Sequence, residues 1–223
     1  MKAKDAEKVA VSVEVVPHPS PRAAFSLTAW PAGGELVLFG GEFYDGKNCR
    51  CFNDLFRYHL EKNEWRQIDS PNSPPPRCAH QSVMYKDNLY VFGGEFTTNE
   101  QFHHYKDLWC FDFATNTWEE INARGGPSAR SGSRAVVWRH YLVVYGGFYQ
   151  ALRETKFYGD LFLFDFRERK WWKIDIPALH PQPKSRSACQ VRERKRRKRE
   201  KRRKEKEEVK EVCGPVSHVL ERD

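Results

Sequence analysis

Cys49-x-Cys51 and the pair His103-His104 are residue types that bind soft metal ions, because thiolate and imidazole both suit zinc. Their spacing matches no closed zinc site, and His and Cys on loops are commonly just solvated. No metal and no cofactor is therefore expected. Arginine is the second class with chemistry to offer. Arg77 and Arg130 occupy matched positions, and Arg22 and Arg186 lie near the same place in the pattern. Such a set of guanidinium groups can recognise acidic peptides by two-pronged pairing. The competing role is internal, in ion pairs with Asp54, Asp107 or Asp160. Aromatic residues form the third class: Phe43, Tyr44, Phe96, Phe102, His103, His104, Phe148 and Tyr149 gather in three similar stretches. Exposed rings with Arg and His nearby are the materials of protein-interface hot spots. Their competing role is packing at the bases of loops. No Gly-rich phosphate loop and no nucleophile elbow accompanies these groups.

What must position them is a chain of 223 residues, a length that suits one domain with a tail. Aromatics at 14%, including seven Trp, argue for a packed core rather than disorder. No stretch approaches the roughly 18 apolar residues of a membrane helix, and no apolar run follows Met1 as a secretory signal would require. Cysteines 49, 51, 78, 110, 189 and 213 form no CxxC pair, which reads as free thiols in a reduced intracellular compartment, cytoplasm or nucleus. The net charge of +8 is unevenly placed: residues 192–210 hold 13 Lys/Arg and 5 Glu, and the remainder is neutral. A charge argument for nucleic-acid binding by the folded part therefore fails, and whatever the positive charge does, the tail does it. The run Arg194-Lys195-Arg196-Arg197-Lys198-Arg199 reads as a nuclear import signal, as weak nonspecific nucleic-acid contact through phosphates, or as a solvated extension.

The rest of the chain repeats itself. Gly40-Gly41, Gly93-Gly94 and Gly146-Gly147 are spaced by 53 residues, as are Trp65, Trp118 and Trp171. Asp54-Leu55, Asp107-Leu108 and Asp160-Leu161 keep the step, and so do Ile68, Ile121 and Ile174. Each copy predicts four strands, since short apolar runs bounded by turn residues suit buried strands. In the second copy these are Ala79 to Met84, Leu89 to Phe92, Leu108 to Phe111 and Trp118 to Ile121. The diglycine closes the second strand, where a missing side chain permits close backbone approach or positive φ. A loop of about ten residues is expected between strands two and three. The indoles are read as core.

A four-stranded unit repeated near 50 residues, with a diglycine after strand two and a Trp opening strand four, resembles the kelch repeat. The resemblance covers about residues 9–190 and implies an all-β, partial β-propeller in which each repeat is one blade. The expected organisation is an N-terminal segment over 1–21, blades over 22–76, 77–129 and 130–183, the start of a fourth at 184–190, and a charged, disordered or helical tail over 191–223. Residues 9–16 alternate with period two and read as an orphan closing strand with no last blade to receive it. Three complete blades and two fragments predict a shortened form of a longer propeller protein. Its open blade edges invite self-association, or completion by a partner or second copy.

In this frame the arginines would pair between blades, and the strand two–three loops would form one binding face. The expected function is a non-catalytic scaffold that binds another protein. One alternative is a nuclear or nucleic-acid-associated role through the basic tail. Another is a metal-dependent enzyme, since some kelch propellers are copper oxidases and others bind iron. Three blades cannot surround a metal with the Tyr/His set that copper needs. No Glu here has Asp four residues on, which the iron-binding members require.

Overall fold

β-branched and aromatic runs favour pleated, buried backbone, and they form strands throughout residues 10–151 and 154–175, which the computed structural model describes. There is no α-helix among these residues, hence none long and apolar enough to cross a membrane. In the first blade, β1 (Ser12–Val16), β2 (Ser26–Trp30), β3 (Glu35–Tyr44), β4 (Cys49–His59) and β5 (Glu64–Asp69) form one sheet in the order β1-β5-β4-β3-β2. The second uses β6 (Gln81–Tyr85), β7 (Asn88–Phe92), β10 (Leu108–Asp112) and β11 (Thr117–Glu120); β8 (Glu95–Thr97) and β9 (Phe102–His104) pair separately. The third repeats this with β12 (Arg134–Trp138), β13 (Tyr141–Tyr145), β16 (Leu161–Asp165) and β17 (Lys170–Ile174), and with β14 (Phe148–Gln150) against β15 (Thr155–Phe157). All pairings are antiparallel, and the first strands β2, β6 and β12 are neighbours across blades.

Core formation lies between blades rather than within them. Val37, Phe39, Leu55 and Ile68 of the first blade pack on Leu89, Val91, Phe111, Phe113 and Trp118 of the second. One repeat further on, Phe92, Leu108 and Ile121 pack on Leu142, Val144, Phe164, Phe166 and Trp171. The indoles Trp118 and Trp171 thus dock on the preceding blade: Trp118 lies 5.0 Å from Phe39 and Trp171 5.6 Å from Phe92. Trp65 is half-buried and meets Tyr58 of its own blade instead. In the pair Trp171-Trp172 only the second is exposed, at 44%, as alternation along a strand requires.

Two expectations are corrected. The segment over 9–16 is not an orphan: β1 lies antiparallel to β5, with Ser12 opposite Asp69 and Val16 opposite Trp65. The outer strand of a blade presents unpaired N–H and C=O groups, and an alternating strand satisfies them wherever it meets them. The stretches between strands two and three are not open loops but β-ribbons, because their alternating residues pair across a tight turn. In the first blade the ribbon continues β3 and β4 past an irregularity between Phe39 and Gly41. The start of a fourth blade at 184–190, Arg186, and the charged tail over 191–223 with Arg194, Lys195, Arg196, Arg197, Lys198 and Arg199 all lie outside the described residues.

Since Trp118 fills an inter-blade core and Trp65 does not, the two truncations should differ. Trp118→Ala is expected to cost about 3–5 kcal/mol and Trp65→Ala clearly less. Urea unfolding followed by far-UV circular dichroism measures both.

Candidate functional site

The second and third blades each begin with an arginine whose backbone and side chain serve different blades. The Arg77 N–H donates to Phe52 O at 2.9 Å, and Arg77 O accepts from the Gly41 N–H at 2.9 Å, both in the first blade. Its guanidinium pairs with both oxygens of Asp107 in its own blade, at 2.8 and 2.9 Å, and donates to Gly93 O at 3.1 Å. Arg130 repeats the arrangement with Tyr105 O, the Gly94 N–H, Asp160 and Gly146 O. Arg22 makes the side-chain half with Asp54 and Gly40 O. An aromatic ring caps each guanidinium, with Phe52, Tyr105 and Tyr158 at 4.1, 4.2 and 4.0 Å. The Arg77 and Arg130 side chains are fully buried. They are therefore not a surface for acidic peptides, and the ion pairs run within blades, not between them. The physical reason is reach: the aspartate ends its own blade's ribbon, directly beside the arginine that begins that blade.

The diglycines make this approach possible. Gly40 and Gly94 have φ of +62° and +93°, and a Cβ on either would sit 2.6 Å from the carbonyl oxygen of Arg77 or Cys78. Ala24, Ala79 and Gly132 also hold positive φ. The Ala79 N–H donates to Ala24 O and the Gly132 N–H to Ala79 O, both at 2.9 Å, so the lead-in segments are linked from blade to blade. Such bonds hold a backbone that alanine otherwise disfavours.

Three ribbons stand on this base. Asn99 ties the second to the first, accepting from the Cys49 N–H at 3.1 Å and donating to Lys47 O at 2.8 Å. Beside them opens a cleft of about 740 Å³, lined by Phe43, Asp45, Cys49, Arg50, Cys51 and Phe96 among others. Phe43, Tyr44, Phe102 and Tyr149 are exposed large rings, and His103 is exposed as well. Phe96 and Phe148 are half-buried: Phe96 packs on His103, and Phe148 packs edge-on to His104.

His104 does not belong to the exposed set. It is buried, donating from Nδ1 to Ser131 Oγ at 2.6 Å and accepting at Nε2 from the Gln150 N–H at 2.8 Å. Burial pulls its pKa below the ordinary value, so it is a neutral strut between the second and third ribbons. No group of three or more His, Cys, Asp or Glu among the described residues is arranged to hold a metal ion. His103-His104 and Cys49-x-Cys51 are not brought together as one.

His80, which the sequence did not single out, joins two blades through Nε2 and Ser26 Oγ at 2.8 Å, while its Nδ1 has no hydrogen-bond partner. Full burial, aided by the Arg77 charge, lowers its pKa to about 3. The capping rings at 52, 105 and 158 were also passed over, although they keep the 53-residue step two positions before each Asp. Their spacing was the signal that could have found them.

Four-stranded antiparallel units stacked face to face, with indoles interlocked and inner strands adjacent, define β-propeller blades. The chain belongs to the kelch-repeat family: the family described as the KLHDC2/KLHL20/DRC7 Kelch-repeats domain matches residues 2–196. Among curated proteins it is similar to Adagio-like protein 3 of Oryza sativa subsp. japonica, 35% identical over 166 residues, covering 71% of this chain and 24% of that protein. It is also similar to leucine-zipper-like transcriptional regulator 1 of Pongo abelii, 32% identical over 146 residues, covering 63% of this chain and 16% of that protein. Ras guanine nucleotide exchange factor F of Dictyostelium discoideum is 31% identical over 129 residues, covering 57% of this chain and 11% of that protein. The chain spans a quarter or less of each. Among solved structures, YjhT shares the fold with a TM-score of 0.57 at 20% identity, covering 73% of this chain and 54% of that one.

Two outcomes follow from the buried groups. Asp107→Asn strands the Arg77 charge and is expected to cost about 3–5 kcal/mol, read by urea unfolding, with the melting temperature falling in parallel. For His80, the unfolded chain takes a proton near pH 6.5 while the folded chain stays neutral down to about 3. Protonation thus favours unfolding in that window, and stability falls as pH drops. Between pH 6 and 4 the stability of the unaltered chain relative to His80→Gln should decline by about 1.4 kcal/mol per pH unit, measured by denaturant titration at each pH.

Proposed function

We propose that this chain is a non-catalytic protein-binding module whose contact surface is the ribbon face. The observation that carries the reading is the set Phe43, Tyr44, Phe102, His103 and Tyr149, held exposed on three adjoining ribbons beside the 740 Å³ cleft. Phe96 and Phe148 back this set from half-buried positions. Rings displayed on a rigid base lose little conformational freedom on binding and exclude water efficiently. The spread of relatives supports the reading too. A matching segment occupies 11% of a protein named as an exchange factor and 16% of one named as a transcriptional regulator. A portable binding module is used in that way. The partner is another protein, and the proposed setting is intracellular, supported by the free thiols Cys49, Cys51, Cys78 and Cys110.

Within the family we read the chain as similar to kelch domain-containing protein 4. The reading rests on the segments Pro74–Gln81, Tyr105–Trp109 and Gly125–Gly132.

The test compares three proteins: the full chain, a variant carrying Phe43→Ala, Tyr44→Ala, Phe102→Ala and Tyr149→Ala, and a form lacking residues 191–223. Quantitative proteomics after in-cell cross-linking is the readout. Exposed substitutions should shift stability by no more than about 0.5 kcal/mol each, yet the four together should reduce partner recovery by about tenfold or more. Should recovery instead depend only on residues 191–223 and vanish at moderate salt, the basic run Arg194–Arg199 carries the association and the ribbon reading fails.

A further inference from the structure

Beneath the first two ribbons three thiols converge from two blades. Glu42 stands opposite Cys51 across the first ribbon, and Cys49 lies two residues from Cys51 on the same strand face. Cys78 enters from the second blade, where it bridges to Glu95. Its Sγ lies 3.4 Å from Glu42 Oε2, and the Cys49 Sγ lies 3.8 Å from the same oxygen. Cys51 points its Sγ at Glu95 O at 3.9 Å, the carbonyl that also accepts from the Cys78 N–H at 2.9 Å. Each of these two thiols is thus turned toward a group on the other's blade, Cys51 toward Glu95 and Cys78 toward Glu42. Cys51 lines the open cleft, whereas Cys78 is wholly buried.

We propose that Cys51 and Cys78 form a peroxide-oxidisable pair in which Cys51 is attacked from the cleft and Cys78 closes an inter-blade disulfide. The two sulfurs must close to roughly 2.05 Å, across a junction where each residue already touches the same carbonyl. The Cys51 thiolate attacks one oxygen of hydrogen peroxide; an S–O bond forms and the O–O bond breaks. The departing hydroxide takes up the proton that Cys51 released and becomes water. Cys78 then gives its proton to Glu42 and attacks the Cys51 sulfur. An S–S bond forms, the S–O bond breaks, and the hydroxide recovers the proton from Glu42 as a second water. Two thiols are oxidised by two electrons and one peroxide is reduced.

The surroundings select one thiol. The Cys78 S–H lowers the pKa of Cys51 by stabilising its thiolate. Burial and the Glu42 charge raise that of Cys49, and burial pushes Cys110 up to about 11. Thiolate character and access together set oxidation rate, and Cys51 alone of the four has both. The bridge would lock the first ribbon to the lead-in of the second blade; only that consequence rests on the binding reading above.

Trypsin separates the candidates, because Lys47, Arg50, Arg57, Arg77 and Lys86 bracket them into peptides 48–50, 51–57 and 78–86. The purified, reduced full chain is treated with hydrogen peroxide, blocked with N-ethylmaleimide and digested. The expected product is peptide 51–57 linked to 78–86, lost after dithiothreitol. In Cys78→Ser the sulfenic acid has no resolving thiol, so dimedone labelling of Cys51 should rise several-fold and exceed that of Cys110. A linkage through Cys49, Cys189 or Cys213 in place of Cys78, no linkage at all, or dimedone spread evenly over the thiols overturns the assignment. If Cys78→Ser fails to fold, the linked-peptide measurement on the unaltered chain decides alone. None of these readouts involves a protein partner.

Discussion

A buried guanidinium group at the start of a blade is the constraint on which the rest of this molecule depends. Taking a charge out of water is costly unless it is paired and its donors are used. Arg77 and Arg130 meet that condition with a carboxylate, a glycine carbonyl and an aromatic face. Those partners dictate the neighbouring sequence: an Asp at the end of the ribbon, a diglycine at the end of strand two, and a ring two residues before the Asp. Because the same arginine's backbone bonds to the preceding blade, one residue fixes both the internal geometry of its blade and its docking on the last one.

The apolar cores work in the other direction, from blade to blade through strands and indoles. Burial in these cores is non-directional, so it binds the blades without specifying their relative rotation. The hydrogen-bonded lead-in segments, running from Ala24 to Ala79 to Gly132, supply that specification. Positive φ at Ala24 and Ala79 is the local cost.

On this base the ribbons are free to vary, which is where chemistry can be placed. Three of the eight aromatic residues singled out there turn inward: His104 braces the third ribbon, and Phe96 and Phe148 support neighbouring rings. The other five face solvent. Beneath them the junction of two blades encloses thiols that no one blade holds by itself. The proposed binding surface and the proposed thiol pair thus lie at the same seam.

The 53-residue step determined much of this protein at the level of sequence. It marked the strands, the indoles, the diglycines and the aspartates, because each blade solves the same packing problem with the same residue types. The step also held the capping rings at 52, 105 and 158, which were legible but unread. Other features have no periodic trace. The partner of β1, the direction of the Arg–Asp pairs, the burial of His104 and the approach of Cys51 and Cys78 to one carbonyl depend on how strands and blades lie against each other. Those contacts join residues on different strands or different blades, through hydrogen bonds whose formation turns on ångström-scale distances and angles. Spacing along a chain does not encode such geometry; only the stacked sheets decide it.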